Sequence, residues 1–542
     1  MLQTSSARKL LAVLALLLPP AAAQERLGAE PVDQTVIERI KAAESGSNGA
    51  SKIADIASTL ADLYGPRLAN SPQFRRAADW AVQQLRDWGL ANVHKETWTT
   101  PAARPLPSWQ CTFFSASMVE PVYQPLIAVP EAWSPATDGS IEAQAMLLVW
   151  PRSLEELERM RGTLQGKMLL VGGPAKPLPL PETVAAHRFS REELATLALD
   201  PIPAKSPVSP PSGGPGISDD LLTKILDWFH REPPLAQFRN GGVFQNDPGD
   251  EEMTFQGGTV FGWGFVNASA MPHARPTAIL AAEHYNRIAR LLARHVPVKL
   301  QLEIRTERDD SYQSESFNVI AEIPGSAKPQ EVVMAGAHLD SWPYATGATD
   351  NAIGCAAAME AMRILRSLDL RMDRTVRLAL WSGEEEGLLG SRAYVRQHYA
   401  VGPGRQGLKP EHETFSVYFN LDAGSGEIRG VWLEHNAKAR PVFEAWFSAL
   451  NDPAAGTVSI RDAGRGISDH QAFDAAGLPA FAFIQDPLDF DTRARHTNMD
   501  TLDRIQWADA EQMAVVLASF LYQAATRADL VPRKEPGGSD AR

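Results

Sequence analysis

The chain has 542 residues, with 52 Lys and Arg against 65 Asp and Glu, a formal net charge of −13. That length exceeds one ordinary hydrophobic core and calls for two or three domains. Hydrophobic residues at 44% and charged residues at 22% suit a soluble globular protein, and a net acidic chain repels phosphate backbones, which excludes nucleic acid as an expected partner.

The N-terminus reads as an export signal over residues 1–23. Arg8 and Lys9 form a basic start, Leu10–Leu18 an apolar run, and Ala21-Ala22-Ala23 a small-residue cleavage site. The run is too short to span a bilayer as a helix, and no later segment offers about 20 apolar residues. The expected location is therefore secreted or periplasmic, with no membrane span after signal removal. Only two cysteines are present, Cys111 and Cys355. They cannot build a disulfide framework or a four-thiolate site, so any metal has to sit on oxygen and imidazole.

Next in the chain come three predicted helices, roughly Val32–Glu44, Lys52–Tyr64 and Gln73–Trp88. In the third, Ala77, Ala78, Ala81, Leu85 and Trp88 fall near helical spacing. Gly65-Pro66-Arg67 and Ser71-Pro72 punctuate the gap before it. A Pro-rich, weakly periodic zone follows from about 101 to 270. Within it Lys167–Val171 reads as a short buried strand. Pro201 to Gly216 reads as a loop, because proline lacks a donor and fixes φ. Then Ala278–Arg294 reads as a helix and Val298–Arg305 as a half-buried strand of period two.

From Phe317 apolar strands alternate with helices. The strands are Phe317–Ile323, Val332–Ala337, Val376–Trp381, Phe415–Leu421, Val431–Glu434 and Pro479–Ile484. The helices are about Ala352–Leu368, Leu388–Tyr399, Ala437–Asn451 and Ala508–Ala525. This alternation predicts an α/β domain with a mostly parallel, buried sheet. Ligands of such sheets bind beyond the carboxyl ends of the strands, and that is where the polar residues cluster. His338-Leu339-Asp340 ends one strand, and Asp350-Asn351 precedes the next helix. Ser382-Gly383-Glu384-Glu385-Glu386-Gly387 follows a second strand, Asp422 a third, and His496-Thr497-Asn498-Met499-Asp500-Thr501 lies after the last.

Singly, each of these has a plain structural reading. A His after a strand is more often structural, Asp350 could cap a helix, three glutamates could be a solvated run, and Asp422 could serve a turn. Together, two imidazoles and at least three carboxylates at the strand ends of one sheet make a ligand set for zinc or a similar divalent ion. Charge counting favours two ions: three carboxylates and one bridging hydroxide neutralise two Zn²⁺ but overcharge one. Two metals about 3.5–4 Å apart can activate one water and polarise a carbonyl.

These residues resemble the co-catalytic zinc exopeptidases of metallopeptidase family 28, and in Gly336-Ala337-His338-Leu339-Asp340-Ser341-Trp342 its carboxypeptidase Q-like branch. The stretch Glu384–Ser391, the triplet Ser468-Asp469-His470 and the ending His496-Thr497…Asp500-Thr501 carry the same likeness, which extends over nearly all of residues 51–525. The resemblance implies a three-layer α/β/α zinc-exopeptidase fold. It implies that His338 and Asp422 hold one zinc, that Glu385 and His496 hold the other, and that Asp350 bridges them. Glu384 would be the general base, Asp340 would orient His338, and the Asp350–Asn351 bond would be cis. The residues from 121 to 305 resemble a β-rich protease-associated domain inserted in the peptidase fold. The expected organisation is thus an N-terminal helical part over 24–120, the insertion over 121–305, a catalytic domain over 306–530 and a tail over 531–542.

Where some family aminopeptidases carry a tyrosine three residues before the Ser-Asp-His triplet, this chain has Arg465. A guanidinium there could stabilise an oxyanion, bind a substrate carboxylate, or simply lie on the surface. The resemblance implies a hydrolase of peptides, an aminopeptidase first and a dipeptidase or carboxypeptidase-like enzyme as its near rival. A one-zinc glutaminyl cyclase and a non-catalytic receptor-type protein are the alternatives from other classes. Both are disfavoured by an intact set of five ligands plus the base.

Overall fold

Val332, Val333, Met334, Ala335 and Ala337 are apolar and buried, which is what a strand covered on both faces requires. They belong to Lys328–His338, a central strand in the computed structural model of the protein. The structure describes residues 30–45, 51–102, 105–171, 186–199, 219–244, 253–254, 257–263, 274–402, 404, 406–463 and 468–534. The export signal over 1–23, the Pro-rich stretch over 201–216 and Arg465 lie outside the described residues.

The first sheet has eight strands in the order Ala91–Thr99, Glu315–Ile323, Arg374–Trp381, Lys328–His338, Phe415–Asn420, Ala480–Gln485, Ile428–Trp432 and Thr457–Ser459. The central four, from Arg374–Trp381 to Ala480–Gln485, run parallel. Antiparallel pairings flank them on both sides, so the sheet as a whole is mixed.

Helices Gln34–Ser45, Ile353–Ser367 and Trp507–Thr526 cover one face. In Ile353–Ser367 the small residues Gly354, Ala356, Ala357, Ala358 and Ala361 are all buried, so the helix axis can approach its neighbours closely. Leu389–His398 and His470–Ala475 cover the other face, where Tyr394 and Phe473 pack against Trp381 and Tyr418 of the strands. Each fully buried Leu, Val or Phe in such a core contributes about 1.5–3 kcal/mol. The chain leaving Lys328–His338 crosses by a helix on one face and returns by a helix on the other. The crevice at the carboxyl end of that strand is therefore the switch point where α/β sheets bind ligands.

A second eight-stranded sheet is built from residues between Ala91–Thr99 and Glu315–Ile323, two strands that are neighbours in the first sheet. It is an insertion by geometry, and it begins upstream of 121. Ser108–Glu120 pairs along its length with Lys299–Asp309, which also runs past 305. Ser108–Glu120 carries no clean alternation of burial, so a period-two reading passes over it. Ala91–Thr99 was equally unmarked in the sequence. The helix expected from Ala278 is a strand, Thr277–Leu280, followed by a helix, Ala282–Ala293. A four-residue apolar run does not fix its own type; here its parallel partner Ala236–Asn240 does. Residues 531–534 are not a free tail, since Val531 is buried and Arg533 donates to the carbonyls of His412 and Phe415. Cys111 and Cys355 are both free thiols. No helix among the described residues is long and apolar enough to cross a membrane.

Far from the crevice, Glu44 is buried beside Glu360, whose carboxylate is held by Arg363. Burial, assisted by Glu360 and opposed by the Ser51 hydroxyl, pushes the Glu44 carboxyl up to about 8. A carboxyl raised on folding gives stability that is full below its ordinary pKa and lost as pH rises through about 8. Glu44→Gln removes that loss. Its unfolding temperature is expected to exceed the parent's above about pH 8 and to match it near the ordinary glutamate pKa. Parallel curves for the two proteins across that range would reject the assignment.

Candidate metal centre

Three parallel strand ends and two loops converge at the switch point. His338 closes its strand with its ring fully buried. Its Nδ1–H donates to the backbone carbonyl of Asp340 at 2.9 Å, which fixes the ring and turns Nε2 into the crevice. There Nε2 lies 3.1 Å from Asp350 Oδ1 and 3.2 Å from Asp422 Oδ1. On the other side His496 Nε2 lies 3.2 Å from Asp350 Oδ2 and 2.9 Å from Glu385 Oε2. Two donor groups result, His338–Asp350–Asp422 and Asp350–Glu385–His496, each with its ligand atoms within 4.8 Å of one another. Asp350 belongs to both. Glu385 Oε1 is buried without a hydrogen-bond partner. A buried carboxylate oxygen left unpaired is costly, and a cation is what such an atom fits. Imidazole and carboxylate together are the donor set of zinc.

The supporting residues explain the geometry. The Asp340 carboxylate accepts from the backbone N–H groups of Glu384 and Glu385 at 3.4 and 3.3 Å. It therefore aims the glutamate pair, while its carbonyl, not its carboxylate, orients His338. Asp500 holds the loop that carries Asp350. Its Oδ1 accepts from the Thr349 amide at 2.6 Å and the Thr349 hydroxyl at 2.7 Å, and its Oδ2 from the Asp350 amide at 3.2 Å. The Asp350–Asn351 bond is cis, and the Asn351 side-chain Nδ2 donates to the Leu421 carbonyl next to Asp422. Gly347 sits at φ 66°, where a Cβ would come within 2.5 Å of Ser341 Oγ. Asp469 is fully buried, and the strand residue Asn420 donates to its neighbour Ser468.

Arg67 is a site residue that the sequence showed only as part of a turn signal. It is fully buried, and its guanidinium donates to the carbonyls of Leu60, Leu339, Thr346 and Gly347 at 2.7–3.0 Å. Leu339 follows His338, and Thr346 and Gly347 lie just before Asp350, so one side chain ties both ligand-bearing segments together. Arg67→Met leaves four acceptors, three of them in fully buried bonds, without this donor. We expect a loss of about 3 kcal/mol or more in urea unfolding, from the cost of unpaired buried acceptors. A loss below about 1 kcal/mol would show the carbonyls finding other donors.

Electrostatically the crevice is an acidic cluster held by two imidazoles. Burial disfavours the charged form of His338, but Asp422 and Asp350 lift it well above its ordinary value. Burial is likewise outweighed at His496, where Glu385 and Asp350 raise it to about 9. Burial would raise Asp350, yet bonds from His338 and His496 bring it below the ordinary carboxylate range. Glu384 faces the opposite balance: burial, with Asp422, Glu385 and Asp469 nearby, holds it well above its usual value against the pull of His338. Burial also raises Asp469 to about 8 and Asp500 to about 7.

Residues 318–521 match the sequence profile of Peptidase family M28. That stretch is a family M28 peptidase domain. The M28 domain contains both donor groups and Glu384. Across a longer span the chain is 26% identical to carboxypeptidase Q of Bos taurus over 476 residues, 88% of this chain and 85% of that protein. A solved peptidase M28 precursor from Shewanella amazonensis SB2B is 26% identical with a TM-score of 0.60, covering 93% of this chain and 99% of that one. An aminopeptidase from Aneurinibacillus sp. strain AM-1 matches with a TM-score of 0.52 at 18% identity, covering 91% and 97%. That last likeness bears on the fold alone.

Proposed function

We propose that this protein is an exported, co-catalytic two-zinc exopeptidase that releases single residues from free peptide N-termini. The observation that carries the reading is the pair of donor groups sharing Asp350, with Glu384 beside them. His338 and Asp422 would hold one ion, Glu385 and His496 the other, and Asp350 both. Bound there, zinc supplies Lewis-acid polarisation of the scissile carbonyl and lowers the pKa of the attacking water.

The chain's own residues do the rest. Glu384 takes the proton of the attacking water and delivers it to the leaving amine. Asp340 fixes the backbone of Glu384 and Glu385, so that base and ligand keep one mutual geometry. The small pocket lined by Trp342, Asp350, Glu385, His496 and Asp500 is the second donor group itself. Likeness to a protein named carboxypeptidase Q favours the carboxypeptidase-like rival. Two donor groups rather than one weigh against a one-zinc cyclase, and the retained base weighs against a non-catalytic receptor.

Metal content of the purified mature protein, paired with an aminoacyl-nitroanilide panel with and without chelator, tests the reading. Two zinc ions per chain with chelator-sensitive release from free N-termini is the expected result. Activity on dipeptides alone would establish the rival. No bound metal and no activity after zinc is restored would leave a binding protein on a peptidase scaffold.

A further inference from the structure

The two donor groups are not supported alike. His338 is held from within the M28 domain, by the Asp340 carbonyl. His496 is held from outside it as well as from within, where the Thr497 amide and hydroxyl donate to the Ala494 carbonyl. Its backbone sits at φ 55°, a left-handed conformation costly for a residue with a side chain, so its surroundings have to impose it. Residues 257–263, which belong to the insertion, help to impose it. The Gly262 amide donates to the His496 carbonyl at 2.9 Å, and Phe261 bridges Thr497 in an antiparallel pair. Asn498, two residues beyond the ligand, completes the joint. Its amide donates to the Val260 carbonyl at 3.1 Å, its Oδ1 accepts from the Val260 amide at 2.6 Å, and its Nδ2 donates to the Gly258 carbonyl at 3.2 Å.

The imidazole itself is walled by rings. Phe261 lies roughly parallel to it, with centroids 5.8 Å apart and planes at 27°. Trp263 and Trp342 meet it at steep angles, each at 6.1 Å. Trp342 stacks on Tyr344 and receives the edge of Trp133 from the insertion. Gly262 runs so close to Tyr344 that a Cβ would collide with its ring. Two walls and the backbone bond thus come from the insertion, and they leave Nε2 directed at Glu385 and Asp350.

We infer that residues 257–263 of the insertion are a working part of the metal centre: Phe261, Gly262 and their clasp Asn498 position His496, so the second ion binds tightly only when this loop is seated. The inference rests on the two-metal reading. It gives the insertion a role inside the centre itself, as a positioning element for one of the two ions.

Stepwise zinc titration by calorimetry on the metal-free, full mature chain tests it, with the parent, Asn498→Ala, Phe261→Leu and Phe261→Tyr side by side. In the parent two equivalents are expected. Asn498→Ala and Phe261→Leu are expected to keep the first equivalent at parental affinity and to weaken the second about 10-fold or more, as loss of outer-sphere support does at other metal sites. Phe261→Tyr, which keeps the ring, restores the second. Two equivalents unchanged within about twofold in both variants would overturn the inference, against that expected loss. Equal weakening of both equivalents would overturn it too, because the effect would then not be confined to the His496 side. One equivalent in the parent would overturn the two-metal reading itself and be distinguishable from either.

Discussion

Glu384→Gln is expected to lower kcat by about 10³-fold, within the 10²–10⁴ that general acid–base groups supply, while the metal content stays at the parental value. Glutamine fills the same volume and leaves the Asp340 bond to the backbone amide in place. It cannot carry a proton from water to the leaving amine. A 10³-fold loss corresponds to about 4 kcal/mol of transition-state stabilisation. The diagnostic pattern is a fall in kcat with little change in KM, because a proton-transfer contact is made in the transition state and not in substrate binding. A rate within about tenfold of the parent would take the base away from Glu384.

Asp350→Ala is expected to abolish zinc binding and activity together. Asp350 is the one member common to both donor groups, so its loss leaves each with two ligands. The readout is thermal. Zinc at about 100-fold over its dissociation constant stabilises a folded protein by about 2.7 kcal/mol, so the parent's unfolding temperature should rise on zinc addition. The variant's should not move. It should also unfold below the metal-free parent, since removing Asp350 deprives His338 and His496 of their shared carboxylate partner. A zinc-induced shift equal to the parent's would rule out a bridging role.

Much of the catalytic unit was legible in the sequence. Apolar runs such as Val332–Ala337 and Val376–Trp381 fix buried strands, and polar residues directly after them are placed by that fact alone at the ligand edge of the sheet. His338, Glu384, Glu385 and Asp422 were found this way, and Asp350 by its place before a helix. His496 stood in the loop after the last strand, with no periodicity of its own to argue from. Signals failed where the determining contact is distant. Arg67 acts through carbonyls more than 270 residues away as well as nearby ones, and Gly65-Pro66-Arg67 looks like any turn. Asp340 was expected beside His338, and its carbonyl does hold that ring; that its carboxylate also accepts from the backbone of Glu384 and Glu385 is a contact no spacing encodes.

The sequence by itself determined which segments are strands of a parallel core, which residue types stand at their ends, and hence that the chemistry is oxygen-and-imidazole metal chemistry. Those properties are local, since burial period and ligand type are carried by each segment alone. Only the tertiary structure decided that Asp350 lies between the two imidazoles, that Ser108–Glu120 belongs to the second sheet, and that residues 257–263 close against His496. These depend on pairing between distant segments, where many registers satisfy the same hydrophobic pattern and the packing of the whole chain selects one.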